Sequence, residues 1–394
     1  MNRWSGAVLA AVMATTTGVA HAAPETDYIP PTSQADVLSL PGTGISGQAR
    51  KSTRYALSYV VIPVKGRPQG FARSGVKKMT RRIADRMESQ TDERYGYGFA
   101  GWSKAPKAKD SDLSCDLEVI HRKYQKYVKN WSDPPDGYRD TVAVYLTPLR
   151  RVCSYAGVAM LRGRAVYLNG VDLSDPTRLQ DWITAHELGH TLGLEHAASF
   201  WPRDAGWTYA DPVPRVPRLQ DWADYGDYLD LMGQPAQQGD LDGLELSRWS
   251  FSALNLEQLR VIGRRNLTVV RNSGRYTIDL VSADPAGGRM MLAVPVLADG
   301  EETAWTLEYR PSWQNQKGLR YPEPYVTRGY GVRLTLAGAG MQYPNYMNRT
   351  FHVDGRQTAQ ASLPVGQVVR LGGGGTVTVV ELSRETAIID VMVP

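Results

Sequence analysis

The period of the apolar positions changes near residue 263. Before that point, strand-length apolar runs alternate with helical patterns; after it, short two-residue alternations follow one another. Residues 55–64 carry the run Ala-Leu-Ser-Tyr-Val-Val-Ile-Pro-Val and read as a buried strand. Over 71–90, Val76, Met79, Ile83 and Met87 recur at three- and four-residue spacing, which predicts a helix. A second helix is predicted over 117–131, with Ile120, Tyr124, Tyr127, Val128 and Trp131 on one face. Residues 140–147 read as a strand, and 156–169 as two short strands around Leu161-Arg162-Gly163-Arg164. The strand at 166–168 is a candidate edge for pairing with an extended peptide. Ser174-Asp175-Pro176 starts a further helix, with Asp175 at the N-cap and Pro176 at the first helical position. Trp182, Ile183, Leu188 and Leu192 give that helix an apolar stripe.

Residues 197–220, rich in proline and tryptophan, read as loop, and 244–259 as helix. Beyond Gly263, alternating segments at 266–270, 275–280, 290–296, 303–309, 331–336, 367–371, 376–381 and 387–393 predict short strands separated by Gly and Asp turns. The expected fold is an α/β catalytic domain with an active-site helix, followed by an all-β sandwich-like domain. Residues 53–263 would form the first domain and 264–394 the second. No Pro/Gly/Ser-rich linker separates them, so the second is expected to dock on the first.

The N-terminus alters this picture. Arg3, the apolar stretch 6–19 and Ala20-His21-Ala22 have the form of a secretory signal over 1–22. Residues 23–52 then read as a flexible arm or short propeptide. No run of residues is long enough to predict a membrane span. In an exported chain, the two cysteines Cys115 and Cys153 most simply form one disulfide; two buried free thiols are the alternative. The net charge of +5 comes from scattered basic residues, and Lys77, Lys78, Arg81 and Arg82 fit a solvated helix face. No nucleic-acid partner is expected.

The chemistry is concentrated in residues 186–196, which read His-Glu-Leu-Gly-His-Thr-Leu-Gly-Leu-Glu-His. Three of the six histidines of the chain lie there. Four-residue spacing on a helix points His186 and His190 the same way, toward one zinc ion. Glu187 lies beside the open coordination position, where it can take a proton from an attacking water. Gly193 lets the backbone leave the helix and return His196 as a third ligand. Three protein ligands leave a zinc open for catalysis, whereas a structural zinc is closed by four.

The eleven residues resemble the signature of the metzincin zinc peptidases. That resemblance implies a methionine turn under the metal, for which Asp227-Tyr228-Leu229-Asp230-Leu231-Met232-Gly233 is the candidate, with Met232 as the hydrophobic floor. Tyr225-Gly226-Asp227 with Met232-Gly233 looks most like the gametolysin-type peptidases, with the immune inhibitor A-type close behind. The segments 153–159 and 305–310 also look gametolysin-like. Gln234 stands where some metzincins place a tyrosine ligand. The resemblance implies a secreted zinc endopeptidase acting on protein or peptide substrates, with Glu187 as general base. Asp221, Asp224, Asp227 and Asp230 could offer oxygens to Ca2+, but no calcium-loop motif is present. The alternative is an adhesin or carbohydrate-binding protein with a catalytically silent zinc module. Trp305, Tyr309, Trp313, Tyr321 and Tyr325 keep that reading open, and the presence of Glu187 argues against it.

Overall fold

The computed structural model describes residues 52–148, 153, 155–173, 179–194, 196–200, 222–223, 230–233, 251–280, 288–298, 301–310, 331–338, 345–347, 350–353, 356–359, 363, 365–371 and 374–393. The proposed signal, the arm through residue 51, Asp175 and Pro176, Asp221, Asp224, Tyr225, Asp227, Gln234, Trp313, Tyr321 and Tyr325 lie outside them. The fold is mixed α/β, with several sheets and few helices.

The first region is β1 (Thr53–Val61), α1 (Arg73–Gln90), β2 (Tyr95–Lys104), α2 (Leu117–Tyr124), β3 (Asp140–Pro148), β4 (Gly157–Ala159), β5 (Ala165–Val171) and α3 (Leu179–Thr191). Its sheet runs β2-β1-β3-β5-β4, parallel except for β4. Parity divides the central strands between two cores. Leu57, Tyr59, Val142, Val144, Val166 and Leu168 join a cluster with residues of α1 and α3. Val60, Ala143, Tyr145, Ala165 and Tyr167 join one with residues of α2. Strands buried on both faces read as continuous apolar runs, which is why the sequence predicts β1 and β3.

β2 is not predicted, because Tyr-Gly-Tyr-Gly-Phe-Ala-Gly is poor strand material. Its glycines are required by close neighbours. A Cβ at Gly98 would collide with the Tyr138 hydroxyl, and one at Gly101 would stand 2.5 Å from Ser58 Oγ. Arg82 is not on a fully solvated face. It donates to both oxygens of Asp181 at 2.5 and 2.7 Å, fastening α1 to α3 through a carboxylate that is nearly inaccessible.

The disulfide Cys115–Cys153 is present, with Cα atoms 5.5 Å apart. It ties the segment before α2 to the segment entering β4. Asn169 of β5 supports the same segment by donating to the carbonyls of Cys153 and Tyr155.

Strands dominate the remainder. β6 (Ala197–Phe200) occurs where loop is expected, and β7 (Trp222–Ala223) lies just beyond that stretch. α4 (Ala253–Gln258) follows, then β8 (Leu267–Val269), β9 (Gly274–Asp279), β10 (Met291–Ala298), β11 (Glu301–Arg310), β12 (Gly331–Gly338) and β13 (Asn345–Met347). After the hairpin β14 (Thr350–Val353) and β15 (Arg356–Ala359) come β16 (Val368–Arg370), β17 (Thr376–Leu382) and β18 (Thr386–Met392). One sheet has the order β7-β6-β13-β12-β11-β10-β8, the other β16-β17-β18-β9. β6 begins directly after His196 and pairs in parallel with β13, so the chain leaves the histidine turn and enters a sheet built mainly of later strands.

The seven-stranded sheet is covered on both faces. Leu292, Val294, Trp305, Leu307 and Tyr309 share a core with Ile278, Val377, Val379, Ile389 and Val391 of the four-stranded sheet. Met291, Ala293 and Ala304 point the other way, into the cluster that contains Met87, Leu188, Met232 and the α4 residues Leu254 and Leu256. Two side chains tie the segment after α4 to the start of β2: Arg94 donates to the Arg260 carbonyl, and the Tyr95 hydroxyl to that of Leu259. Among the described residues, no helix is long and apolar enough to cross a membrane.

Two outcomes follow. Replacing both Cys115 and Cys153 with serine lowers stability in denaturant titration by about 2–4 kcal/mol, the usual worth of a disulfide. A chain truncated after Gly263 loses Met290, Met291, Ala293 and Ala304 from its main core. Each large apolar side chain is worth about 1.5–3 kcal/mol, against a domain stability of about 5–15 kcal/mol. The fragment is therefore expected to aggregate or melt far below the full chain. A fragment with an unchanged melting temperature would refute the shared core.

Candidate metal centre

α3 carries His186, Glu187 and His190, and its end brings back His196. Gly193 has φ +96°, the left-handed conformation that favours glycine. Leu194 N–H donates to the Gly189 carbonyl at 3.2 Å and Gly193 N–H to that of His190 at 2.9 Å. This is the six-to-one and five-to-two pairing of a Schellman cap. The cap turns the Leu194 carbonyl toward His190, whose Nδ1–H donates to it at 2.7 Å. His186 Nδ1–H likewise donates to the Leu231 carbonyl at 2.9 Å. Each of these two rings thus has its Nδ1 committed to a carbonyl, which makes Nε2 the nitrogen that could serve as a metal ligand. One ligand atom from each of His186, His190 and His196 lies within 4.8 Å of the others.

Electrostatics favour the neutral ligand form. Burial first, then the neighbouring His190 and His196, hold His186 well below the usual imidazole range. Glu187 is 6% exposed, and burial pushes its carboxyl up to about 8 when no cation stands beside it. Its Oε2 is buried and has no hydrogen-bond partner among the described residues. A buried carboxylate oxygen without a donor is costly unless a ligand or positive charge meets it. Three imidazole nitrogens that converge on one point, with a carboxylate on the same helix, are a donor set suited to zinc.

The walls of the site are close. Gly157 of β4 lies against Glu187; a Cβ there would stand 2.6 Å from Oε1 and 2.8 Å from Cγ. β4, not β5, is the sheet edge, since β5 is flanked by β3 and β4. The 166–168 strand expected to be an edge is therefore internal. Behind the histidines, Met232 is fully buried, and a Cβ at Gly189 would stand 2.4 Å from its Sδ.

Sequence reasoning considered Asp230 only as a calcium ligand. It is fully buried, and its oxygens accept from Met232 N–H, Ser252 N–H and Asn255 Nδ2 at 2.8–3.1 Å. An aspartate accepts readily from the N–H two residues on, so the Asp230–Met232 bond is a readable Asx-turn possibility. Glu308, in an ordinary-looking alternating strand, gave no such signal. Trp305 and Tyr309, candidates for carbohydrate contact, are 1% and 3% exposed and belong to the core.

No protein-family model matches the chain, and no curated protein matches it. Among solved structures it is similar to mature mirolysin of Tannerella forsythia in complex with a cleaved peptide, with TM-score 0.31 and 13% identity. The match covers 54% of this chain and 92% of that one. A likeness so slight carries no argument about function, which rests on the site itself.

The two glycines give a local test. Gly193→Ala is expected to cost about 1–2 kcal/mol for a left-handed residue with a Cβ. Gly189→Ala should cost about 1–3 kcal/mol through overpacking on Met232. Denaturant titration of each variant measures both; two neutral substitutions would mean that the turn and floor are not as described.

Proposed function

We propose that the protein is a secreted zinc endopeptidase of the metzincin type. The observation that carries this reading is the convergence of His186, His190 and His196 at the end of α3, on the helix that also carries Glu187, whose buried Oε2 has no hydrogen-bond partner among the described residues. His186, His190 and His196 would hold the ion. When bound, zinc supplies Lewis acidity to a carbonyl oxygen and to an attacking water. Glu187 takes a proton from that water and delivers it to the departing amine. Its burial keeps competing water away from the proton, and the positive charge of an ion would bring its pKa back down toward the working range of a base. Met232 supports the rings from below without touching the reacting atoms.

β4 is the sheet edge that lies against Glu187, so an extended peptide adding as a further strand would lie across the site. The Cys115–Cys153 disulfide supports export, because such bonds persist in oxidising compartments. The gametolysin-type assignment within the metzincins rests on the sequence segments alone. The proposed division is 53–263 for the catalytic part and 264–394 for the β-rich part, with the two in contact. A sugar-binding role for the β-rich part finds less support, because Trp305 and Tyr309 are core residues.

Glu187→Ala removes the base and no ligand. The variant is expected to keep one zinc per chain by atomic emission and to lose peptide turnover by about 10²–10⁴-fold or more. Turnover near wild type with zinc bound would end the mechanism, and a wild-type chain without zinc would end the reading as a whole.

A further inference from the structure

We infer that Asp230 and Glu308 are positioning residues for the metal centre, joined to His186 by a series of buried hydrogen bonds that starts in the β-rich region. The inference rests on the reading of the three histidines as a metal site. The series begins on β11. Glu308 Oε2 accepts from the N–H of Ala253, the first residue of α4, at 2.5 Å. The residue before it, Ser252, donates its N–H to Asp230 Oδ2 at 2.9 Å. Asp230 Oδ1 accepts from Met232 N–H at 2.8 Å. Between Asp230 and Met232 lies Leu231, whose carbonyl accepts from His186 Nδ1 at 2.9 Å.

Every side chain in the series is shielded. Asp230 and Asn255 are 0% exposed, His186 3%, and Ser252 and Glu308 4%. Asn255 Nδ2 donates to both Asp230 oxygens at 2.9 and 3.1 Å, which fixes the carboxylate plane. Ser252 caps α4 by accepting from Asn255 N–H at 3.1 Å, so the helix start and the carboxylate are set together. Arg333 stands opposite Glu308 in the β11–β12 register, with its Nη1 3.4 Å from Oε1. This fully buried guanidinium supplies an opposite charge to the Glu308 carboxylate.

The functional consequence comes from the last bond. Residues 230–233 form a turn, with Gly233 N–H donating to the Asp230 carbonyl. The direction of the Leu231 carbonyl is therefore set by how Asp230 holds the turn. That carbonyl fixes the tautomer and rotation of His186 and so the aim of its Nε2. Partners of this kind behind a ligand typically change metal affinity 10–100-fold when removed. The β-rich region is then part of the metal site rather than an accessory to it.

The test uses the full-length chain and zinc alone. Zinc affinity is measured by competition with a chromogenic chelator, well below each melting temperature. The variants are Asp230→Asn, Glu308→Gln and, as a control for lost stability, Ile389→Ala in the other core. Asp230→Asn and Glu308→Gln are expected to weaken zinc binding about 10–100-fold, while Ile389→Ala leaves it unchanged at a comparable loss of melting temperature. Wild-type affinity in both position variants, or equal weakening by Ile389→Ala, overturns the inference. Absence of zinc from the wild type instead removes the metal site itself.

A second measurement needs no variant. Binding linkage is reciprocal, so zinc should slow amide exchange at Met232, Ser252 and Ala253 more than at Val377 or Ile389. Equal slowing everywhere, or none at Ser252 and Ala253, overturns it as well.

Discussion

Asp230 carries a carboxylate into a position with no solvent exposure, and three nitrogen donors surround it there: Met232 N–H, Ser252 N–H and Asn255 Nδ2. Desolvating such a group costs several kcal/mol, and hydrogen bonds to a charged acceptor each return about 1.5–3 kcal/mol. The balance is favourable only when all of them form together. That requirement holds the Met232 turn and the start of α4 in one arrangement. The apolar residues of α4 then complete the core beneath α1 and α3. Removing any one donor would leave the charge underpaired, so the arrangement has little freedom to drift.

The same coupling explains why the seven-stranded sheet is buried on both faces. A sheet with one solvated face could alternate freely between apolar and polar residues. Here the odd face of β11 supplies Trp305, Leu307 and Tyr309 to one core, while the even face supplies Ala304, Thr306 and Glu308 to the join with α4. Two of the buried residues on the even face are polar or charged, and Glu308 meets both Arg333 and the α4 backbone. The face is built for a specific partner surface rather than for water.

At the histidines, backbone geometry does the positioning. The left-handed Gly193 closes the helix and presents the Leu194 carbonyl to His190, and the Met232 turn presents the Leu231 carbonyl to His186. Glu187 has a buried carboxylate oxygen without a donor among the described residues. Uncompensated polar atoms of this kind concentrate where chemistry is done.

The sequence by itself determined the residues of the candidate site, because their spacing is a property of the helix and of one glycine turn. His186 and His190 share a face whatever surrounds them, and Gly193 needs only its missing Cβ to turn the chain. It also determined β1, β3, α1 and the later alternating strands, whose periods are local. Tertiary structure decided the rest. The strand β2 exists because Ser58, Glu88 and Tyr138 crowd a ribbon that only glycine fits, a fact absent from its own composition. β6 is a strand because β13, nearly 150 residues later, lies beside it. The pairings Arg82–Asp181 and Glu308–Arg333 hold Asp181, Glu308 and Arg333, residues with surface-like patterns, in buried positions. Burial of a charge depends on which partner arrives from elsewhere in the chain, and local sequence carries no record of that.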